Sequence, residues 1–171
     1  MKEDRGKEKG SNRHKEMESS KVAGDHALIA ASTKAVARLF VYGTLMEGKG
    51  NHHLLEGCEK VGRAHTAAKY AMFSAGIPFV NPTEEISTIA GEVYDIPNEE
   101  ILKEIDRLEG HPDWYIRRAC EVVLDDFTSD VLSADIYFNN LVSSKPDSVV
   151  DAICILSGDF RDAAKYGDPG H

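Results

Sequence analysis

The sequence predicts one glutamate, Glu109, at a position where an ionised carboxylate is energetically unfavourable. The segment NEEILKEIDRLEG has Asn98 as an N-cap and Gly110 as a stop signal, so it predicts a helix that ends at Glu109. At about 100° per residue, Glu109 falls on the apolar arc with Leu102 and Ile105. It also lies in the last turn, where the helix dipole disfavours negative charge. The pattern therefore places an acid against the core.

Glu109 has the profile of a general acid/base. Burial and the helix dipole both act to raise the pKa of its carboxyl. A carboxyl that titrates nearer neutrality can accept and return a proton during a reaction. The alternative is a frayed helix end, with Glu109 in solvent or paired with Arg107, Arg117 or Arg118. Both interpretations stay open on periodicity alone.

A second candidate feature is the loop that follows the first apolar run. RLFVYG, residues 38–43, predicts a buried strand that ends in glycine. The amides of Gly43, Thr44 and Leu45 then lie past the sheet, and successive free amides in a turn form a concave site for an anion or oxyanion. The alternative is an ordinary turn in which Gly43 supplies only backbone freedom.

The same loop is close to the pattern of a nucleotide-binding phosphate loop. Gly43, Gly48 and Lys49 match, but Gly50 stands where the pattern needs a Ser or Thr hydroxyl for magnesium. The segment behind it is also too short for the long helix whose N-terminus should face the phosphates. The sequence therefore argues against a nucleotide site.

A tyrosine follows the predicted helix. Tyr115 lies in GHPDWYIRR, two residues before Arg117. We interpret Tyr115 as a substrate-binding residue that orients a substrate or hydrogen-bonds Glu109. The alternative is a half-buried tyrosine of the next strand.

The elements that must position these groups are mostly strands. Strand-like segments lie at 69–80 (strand, turn, strand), 87–96, 114–124 and 131–138. One or two helical turns are predicted within 50–59, and an apolar segment, a turn and a short helix within 151–167. Strands and helices do not alternate regularly, which disfavours a doubly wound parallel sheet and favours a mixed sheet or small barrel.

Charge divides the chain into two parts. Residues 1–37 carry eight Lys/Arg and six Asp/Glu, which predicts a charged tail that is disordered or weakly structured. Residues 38–171 carry twelve and twenty-three, a net charge of −11, and form the predicted domain. A domain this acidic is a poor partner for nucleic acid, because a phosphate backbone needs a basic footprint.

Composition also bears on location and metal binding. The apolar stretch before residue 38 is weak and interrupted by charge, which predicts no membrane span. Cys58, Cys120 and Cys154 are widely spaced and form no CxxC pair, which indicates neither a zinc site nor a disulfide framework. We therefore expect a cytoplasmic protein with no bound metal and no membrane association.

Two motifs, FVYGTL and IDRLEGHPDWYIRR, resemble the γ-glutamylcyclotransferase-like family, including the γ-glutamylamine cyclotransferases. GNHHLL, YAMFSAGIPFV, GEVYDI and SGDFRD support the resemblance, which covers about residues 38–162. It implies an α+β fold, a small mixed β-barrel with flanking short helices. It also implies an intramolecular reaction. The α-amine of a γ-glutamyl amine or γ-glutamyl amino acid attacks its own γ-carbonyl, which forms 5-oxoproline and releases the amine, with no metal or organic cofactor.

The resemblance also implies roles for individual residues. Tyr42, Gly43, Thr44 and Leu45 match the family's substrate-binding loop, whose amides would hold the glutamyl carboxylate or the developing oxyanion. Glu109 matches the catalytic acid/base, which would take a proton from the α-ammonium and deliver one to the leaving nitrogen.

One position departs from the family pattern, because Met46 stands where members often have a basic residue. The other function that fits is a non-catalytic module that binds a small ligand or a protein and keeps the same fold. Glu109 discriminates between the two, since a binding module does not need an acid that faces the core.

Overall fold

The structure of the protein is a computed structural model that describes residues 34–168. Its regular elements are, in chain order, β1 (Ala37–Val41), a first 3-10 helix (His52–Leu55), β2 (Glu59–Thr66), β3 (Ala71–Ser74), β4 (Pro78–Asn81), β5 (Ala90–Ile96), α1 (Glu99–Glu109), β6 (Ile116–Leu124), β7 (Val131–Phe138), β8 (Ile153–Cys154) and a second 3-10 helix (Phe160–Tyr166). Most of the predicted charged tail, residues 1–33, lies outside the described residues.

Five strands close into a barrel in the order β1-β5-β2-β6-β7. The neighbours pair antiparallel except at the seam, where β1 runs parallel to β7 with Leu39 opposite Asp135. A separate antiparallel sheet of three strands has the order β4-β3-β8. The predicted α+β fold with a small mixed barrel and short helices is confirmed.

Strand β1 brings the first apolar run into the core. Leu39, Phe40 and Val41 are successive residues and all are buried, so both faces of the strand are covered. A strand covered on both faces reads as a continuous apolar run rather than an alternating one. This explains why RLFVYG predicts a buried strand; β1 ends at Val41, two residues before Gly43.

Strand β2 is not predicted from the sequence, although it lies between β5 and β6 in the barrel. Its sequence, EKVGRAHT, has few β-branched and no large aromatic residues, and its first two residues are exposed. The register with β5 also shifts between Lys60 and Gly62. Pairing on both sides, rather than strand propensity, therefore makes this segment a strand.

The predicted helix is confirmed as α1. The Asn98 side chain accepts a hydrogen bond from the Ile101 amide at 3.0 Å, and Gly110 closes the helix in the left-handed region with φ 63°. Leu102 and Ile105 are buried as the periodicity predicts, whereas Leu108 is 43% exposed. The helix therefore ends at the edge of the core, with Glu109 as its last residue.

Within residues 34–168, no helix combines the length and the hydrophobicity that crossing a membrane would need.

Candidate active site

A cavity of about 200 Å³ opens beside the end of β1. Its lining includes all six residues singled out from the sequence, which are Tyr42, Gly43, Thr44, Leu45, Glu109 and Tyr115. They come from the loop after β1, the end of α1 and the turn before β6. The fold thus brings together groups that lie more than sixty residues apart in the chain.

Glu109 is half-buried in this cavity, and burial raises the pKa of its carboxyl from 4.5 to about 7. The three arginines that could neutralise it are engaged elsewhere. Arg107 pairs with Glu104, Arg117 pairs with two aspartates, and Arg118 lies over an aromatic ring. Across residues 34–168 no ion pair involves Glu109, so its charge is left uncompensated.

The loop after β1 brings three successive residues, Gly43 to Leu45, to the wall of the cavity. Among the described residues, the N–H groups of Gly43, Thr44 and Leu45 donate no hydrogen bond, while the carbonyl of Gly43 accepts one from Met46 at 3.0 Å. Asn51 fixes the loop, since its side chain and its amide each donate a hydrogen bond to Thr44 at 2.9 Å. Successive amides without partners are the donor arrangement that suits an anion.

Gly43 is required by a close approach rather than by its backbone angles. A Cβ at this position would lie 2.3 Å from Pro78 Cγ, which is far inside contact distance. Pro78 begins β4 and also lines the cavity. The absence of a side chain at Gly43 therefore lets the loop and β4 form adjoining walls of the site.

The tyrosines of the site are held as hydrogen-bond donors. Tyr42 donates to the carbonyl of Tyr137 and Tyr115 to the carbonyl of Pro78, both at 2.6 Å. The hypothesis that Tyr115 hydrogen-bonds Glu109 is therefore wrong for this structure. Burial, and secondarily the charge of Glu109, raises the pKa of the Tyr115 hydroxyl, so it stays protonated. Phe79 stacks on the Tyr115 ring at 5.8 Å and fixes its plane.

A buried carboxylate anchors the far part of the loop to the barrel. Glu92, which is 3% exposed, accepts hydrogen bonds from the Glu47 amide at 2.9 Å, the Tyr94 hydroxyl at 2.9 Å and Lys60 at 3.1 Å. Burial acts to raise the pKa of Glu92, but these bonds together hold it below its usual value. Glu92 is therefore ionised at neutral pH and ties the loop to β5.

The sequence analysis misses several residues of the cavity, which are Asn51, Ile77, Pro78, Leu108, Trp114 and Tyr137. Asn51 could have been found, because it follows the glycine-rich loop directly. The others reach the cavity through the packing of elements that are distant in the chain.

The described residues contain no group of three or more His, Cys, Asp or Glu placed to hold a metal ion. The three cysteines are unpaired and half-buried.

Comparison with solved structures gives the class of fold. An AIG2-like protein from Mus musculus superposes with a TM-score of 0.58 at 24% identity, over 72% of this chain and 88% of that chain. YkqA from Bacillus subtilis superposes with a TM-score of 0.56 at 31% identity, over 74% of this chain and 40% of that chain. The barrel and its flanking elements are thus those of the AIG2-like fold.

Sequence comparison identifies the family. Residues 39–162 match the family described as gamma-glutamyl cyclotransferase, AIG2-like. A Methanocaldococcus jannaschii protein named as a putative gamma-glutamylcyclotransferase is 41% identical over 125 residues, which are 72% of this chain and 95% of that protein. A gamma-glutamylaminecyclotransferase of Bos taurus is 38% identical over 103 residues, 55% of this chain and 61% of that protein.

The chain belongs to the gamma-glutamyl cyclotransferase, AIG2-like family, and the resemblance of its motifs is confirmed. It is an enzyme of the γ-glutamyl cyclotransferase class.

Proposed function

We propose that the cavity binds the glutamyl end of a γ-glutamyl amine or γ-glutamyl amino acid and that Glu109 moves the protons while the chain closes to 5-oxoproline. The observation that supports this is the shared cavity. An uncompensated carboxyl that titrates at about 7 lines the same 200 Å³ space as the free amides of residues 43–45. That volume is below the roughly 300–1,000 Å³ of drug-sized ligand sites, which suits a small group.

In this proposal the loop amides bind a negatively charged group of the substrate. Of the described residues that line the cavity, none is Lys or Arg, so an anion there must be bound by N–H and O–H donors. Gly43, Thr44 and Leu45 supply three amides on a loop already fixed by Asn51. They bind the glutamyl carboxylate or stabilise the γ-carbonyl oxygen as it gains charge during attack. Donors fixed before the reaction need no reorganisation when the charge develops.

Glu109 carries protons from one nitrogen to the other. Its carboxylate first takes a proton from the α-ammonium, and the free amine attacks the γ-carbonyl carbon to form the ring C–N bond. The ring nitrogen gives up a second proton, the bond from the γ-carbon to the leaving nitrogen breaks, and that nitrogen departs as an ammonium ion after gaining two protons. Glu109 ends the cycle as it began. One carboxyl can serve both nitrogens because both are bonded to the same small ring as it forms.

The raised pKa suits this double task. A carboxyl with a pKa of about 7 exists in both protonation states near neutral pH, so it can act as base and then as acid. A solvated glutamate has a pKa of about 4.3, so it would be a weaker base by more than two pKa units.

The test is release of 5-oxoproline from a panel of γ-glutamyl amines and γ-glutamyl amino acids. We expect activity in the natural protein and a loss of about 10²–10⁴-fold in Glu109→Gln. Glu104→Gln is the matched control, because Glu104 lies on the same helix but is exposed and pairs with Arg107. Full activity in Glu109→Gln would contradict the proposed mechanism. No product from any compound would favour a binding module.

A further inference from the structure

The mouth of the cavity is apolar and exposed. Ile77, Leu108 and Trp114 all line the cavity, and 46%, 43% and 37% of their surfaces are accessible. They come from three separate segments, which are the turn between β3 and β4, the last turn of α1 and the turn that precedes β6. Packing among residues 34–168 thus leaves these three large apolar side chains accessible at the cavity.

This apolar mouth has a fixed shape. The Trp114 ring meets Phe79 edge to face at 6.1 Å and Tyr115 edge to face at 6.5 Å. The Asn139 side chain donates to the Trp114 carbonyl at 3.1 Å, which anchors the backbone of the turn. An exposed ring that is held in this way is a preformed wall, so little ordering is needed when a ligand covers it.

Within residues 34–168, the cavity lining also offers no cation to an acidic ligand group. Of the described residues that line the cavity, only Glu109 has a side chain that carries a formal charge, and that charge is negative when the carboxyl is ionised. A carboxylate on the leaving group would lose water against Leu108 and Trp114 with no cation to pair with, and it would face Glu109. The mouth therefore discriminates against acidic leaving groups.

We propose that Ile77, Leu108 and Trp114 form the subsite for the leaving amine and select γ-glutamyl amides of uncharged, apolar amines over γ-glutamyl amino acids. The inference rests on the proposed function. The glutamyl group fills the inner cavity beside Gly43 and Glu109, so the part of the substrate beyond the γ-amide must lie at the opening. Burial of alkyl or aryl surface against these side chains is favourable, whereas burial of a carboxylate is not.

The experiment uses two substrates that differ in one group. The first is the γ-glutamyl amide of n-butylamine, and the second is the γ-glutamyl amide of 4-aminobutyrate, in which a carboxylate replaces the terminal methyl. Release of 5-oxoproline gives kcat/KM for each. We expect the natural protein to prefer the butylamide by about tenfold or more, the scale on which apolar pockets discriminate between small groups.

Variants test whether the residues at the mouth cause the preference for the butylamide. Leu108→Lys places a cation at the mouth on an exposed position and is expected to reduce or reverse the ratio. Trp114→Ala is expected to reduce it by loss of apolar surface. Leu156→Lys is the control, because Leu156 is 60% exposed and does not line the cavity, and it should leave the ratio unchanged.

The outcomes separate the two proposals. If both substrates are cyclised with equal kcat/KM, or if Leu108→Lys leaves the ratio as it is, the subsite inference is wrong and the proposed function stands. If no γ-glutamyl compound yields 5-oxoproline, the proposed function fails and the inference fails with it.

Discussion

Replacement of Glu109 by Gln should make the protein less active and, above neutral pH, more stable. Gln keeps the shape of the side chain but carries no charge. Burial raises the pKa of the carboxyl from 4.5 to about 7. A difference of this size between unfolded and folded chains corresponds to roughly 3 kcal/mol, at about 1.36 kcal/mol per pH unit. The ionised carboxyl therefore destabilises the folded state by up to that amount.

The direction of the pH dependence follows from the raised pKa. Between pH 4.5 and about 7 the folded protein holds a proton on Glu109 that the unfolded chain has lost. Stability from this group is therefore complete below pH 4.5 and is lost as the pH rises through 7. The Gln variant has no such loss, so its advantage should be absent at pH 4.5 and approach roughly 3 kcal/mol at pH 8.5.

The measurement is urea unfolding of the two proteins at several pH values, with the free energies of unfolding compared at each pH. Contributions from other groups cancel in the difference, because both proteins share them. Glu104→Gln, at an exposed site, should differ from the natural protein by no more than about 0.5 kcal/mol throughout.

Two results would refute the reasoning at different points. Equal stability of Glu109→Gln and the natural protein from pH 4.5 to 8.5 would mean that the carboxyl is well solvated. A stability gain at high pH with unchanged release of 5-oxoproline would mean that the carboxyl is buried but carries no protons in the reaction.

Three further predictions concern the same site. kcat/KM for 5-oxoproline release should rise with pH through about 7, because the base proposed for the reaction is the carboxylate of Glu109; a flat profile from pH 5.5 to 8 would contradict this role. Gly43→Ala should lower kcat/KM at least tenfold, because the added Cβ would clash with Pro78; this is about the loss that a small misplacement of catalytic groups causes. Gly50→Ala is the control: there is open space around Gly50, so this variant should match the natural protein. Glu92→Gln should lower the free energy of unfolding by about 1–3 kcal/mol and raise KM, because the loop loses a charged anchor.

The sequence predicts those features of the site that depend only on residues close together in the chain. The position of Glu109 follows from helical period and from two capping residues, Asn98 and Gly110, which lie within one short segment. The loop at Gly43 follows from the end of an apolar run. Each of these signals is set by residues that are neighbours in the chain, so no knowledge of the barrel is needed.

The missed features have non-local causes. Strand β2 looks like a loop because its outward positions are polar, and only its two neighbouring strands make it a strand. Tyr137 enters the site because β7 closes against β1, across 95 residues of chain. Leu108 lies on the apolar side of its helix but beyond the edge of the core, and periodicity alone does not show where a core ends.

The parallel seam between β1 and β7 links catalysis to the completion of the barrel. The loop that carries the amides leaves from β1, and Tyr42 at its root is fastened to the backbone of β7. A chain in which these two edges have not met would contain every proposed site residue, but the residues would not line one cavity. Cyclisation of a γ-glutamyl compound should therefore report closure of the barrel, and no form of the protein in which β1 and β7 are apart should turn over substrate.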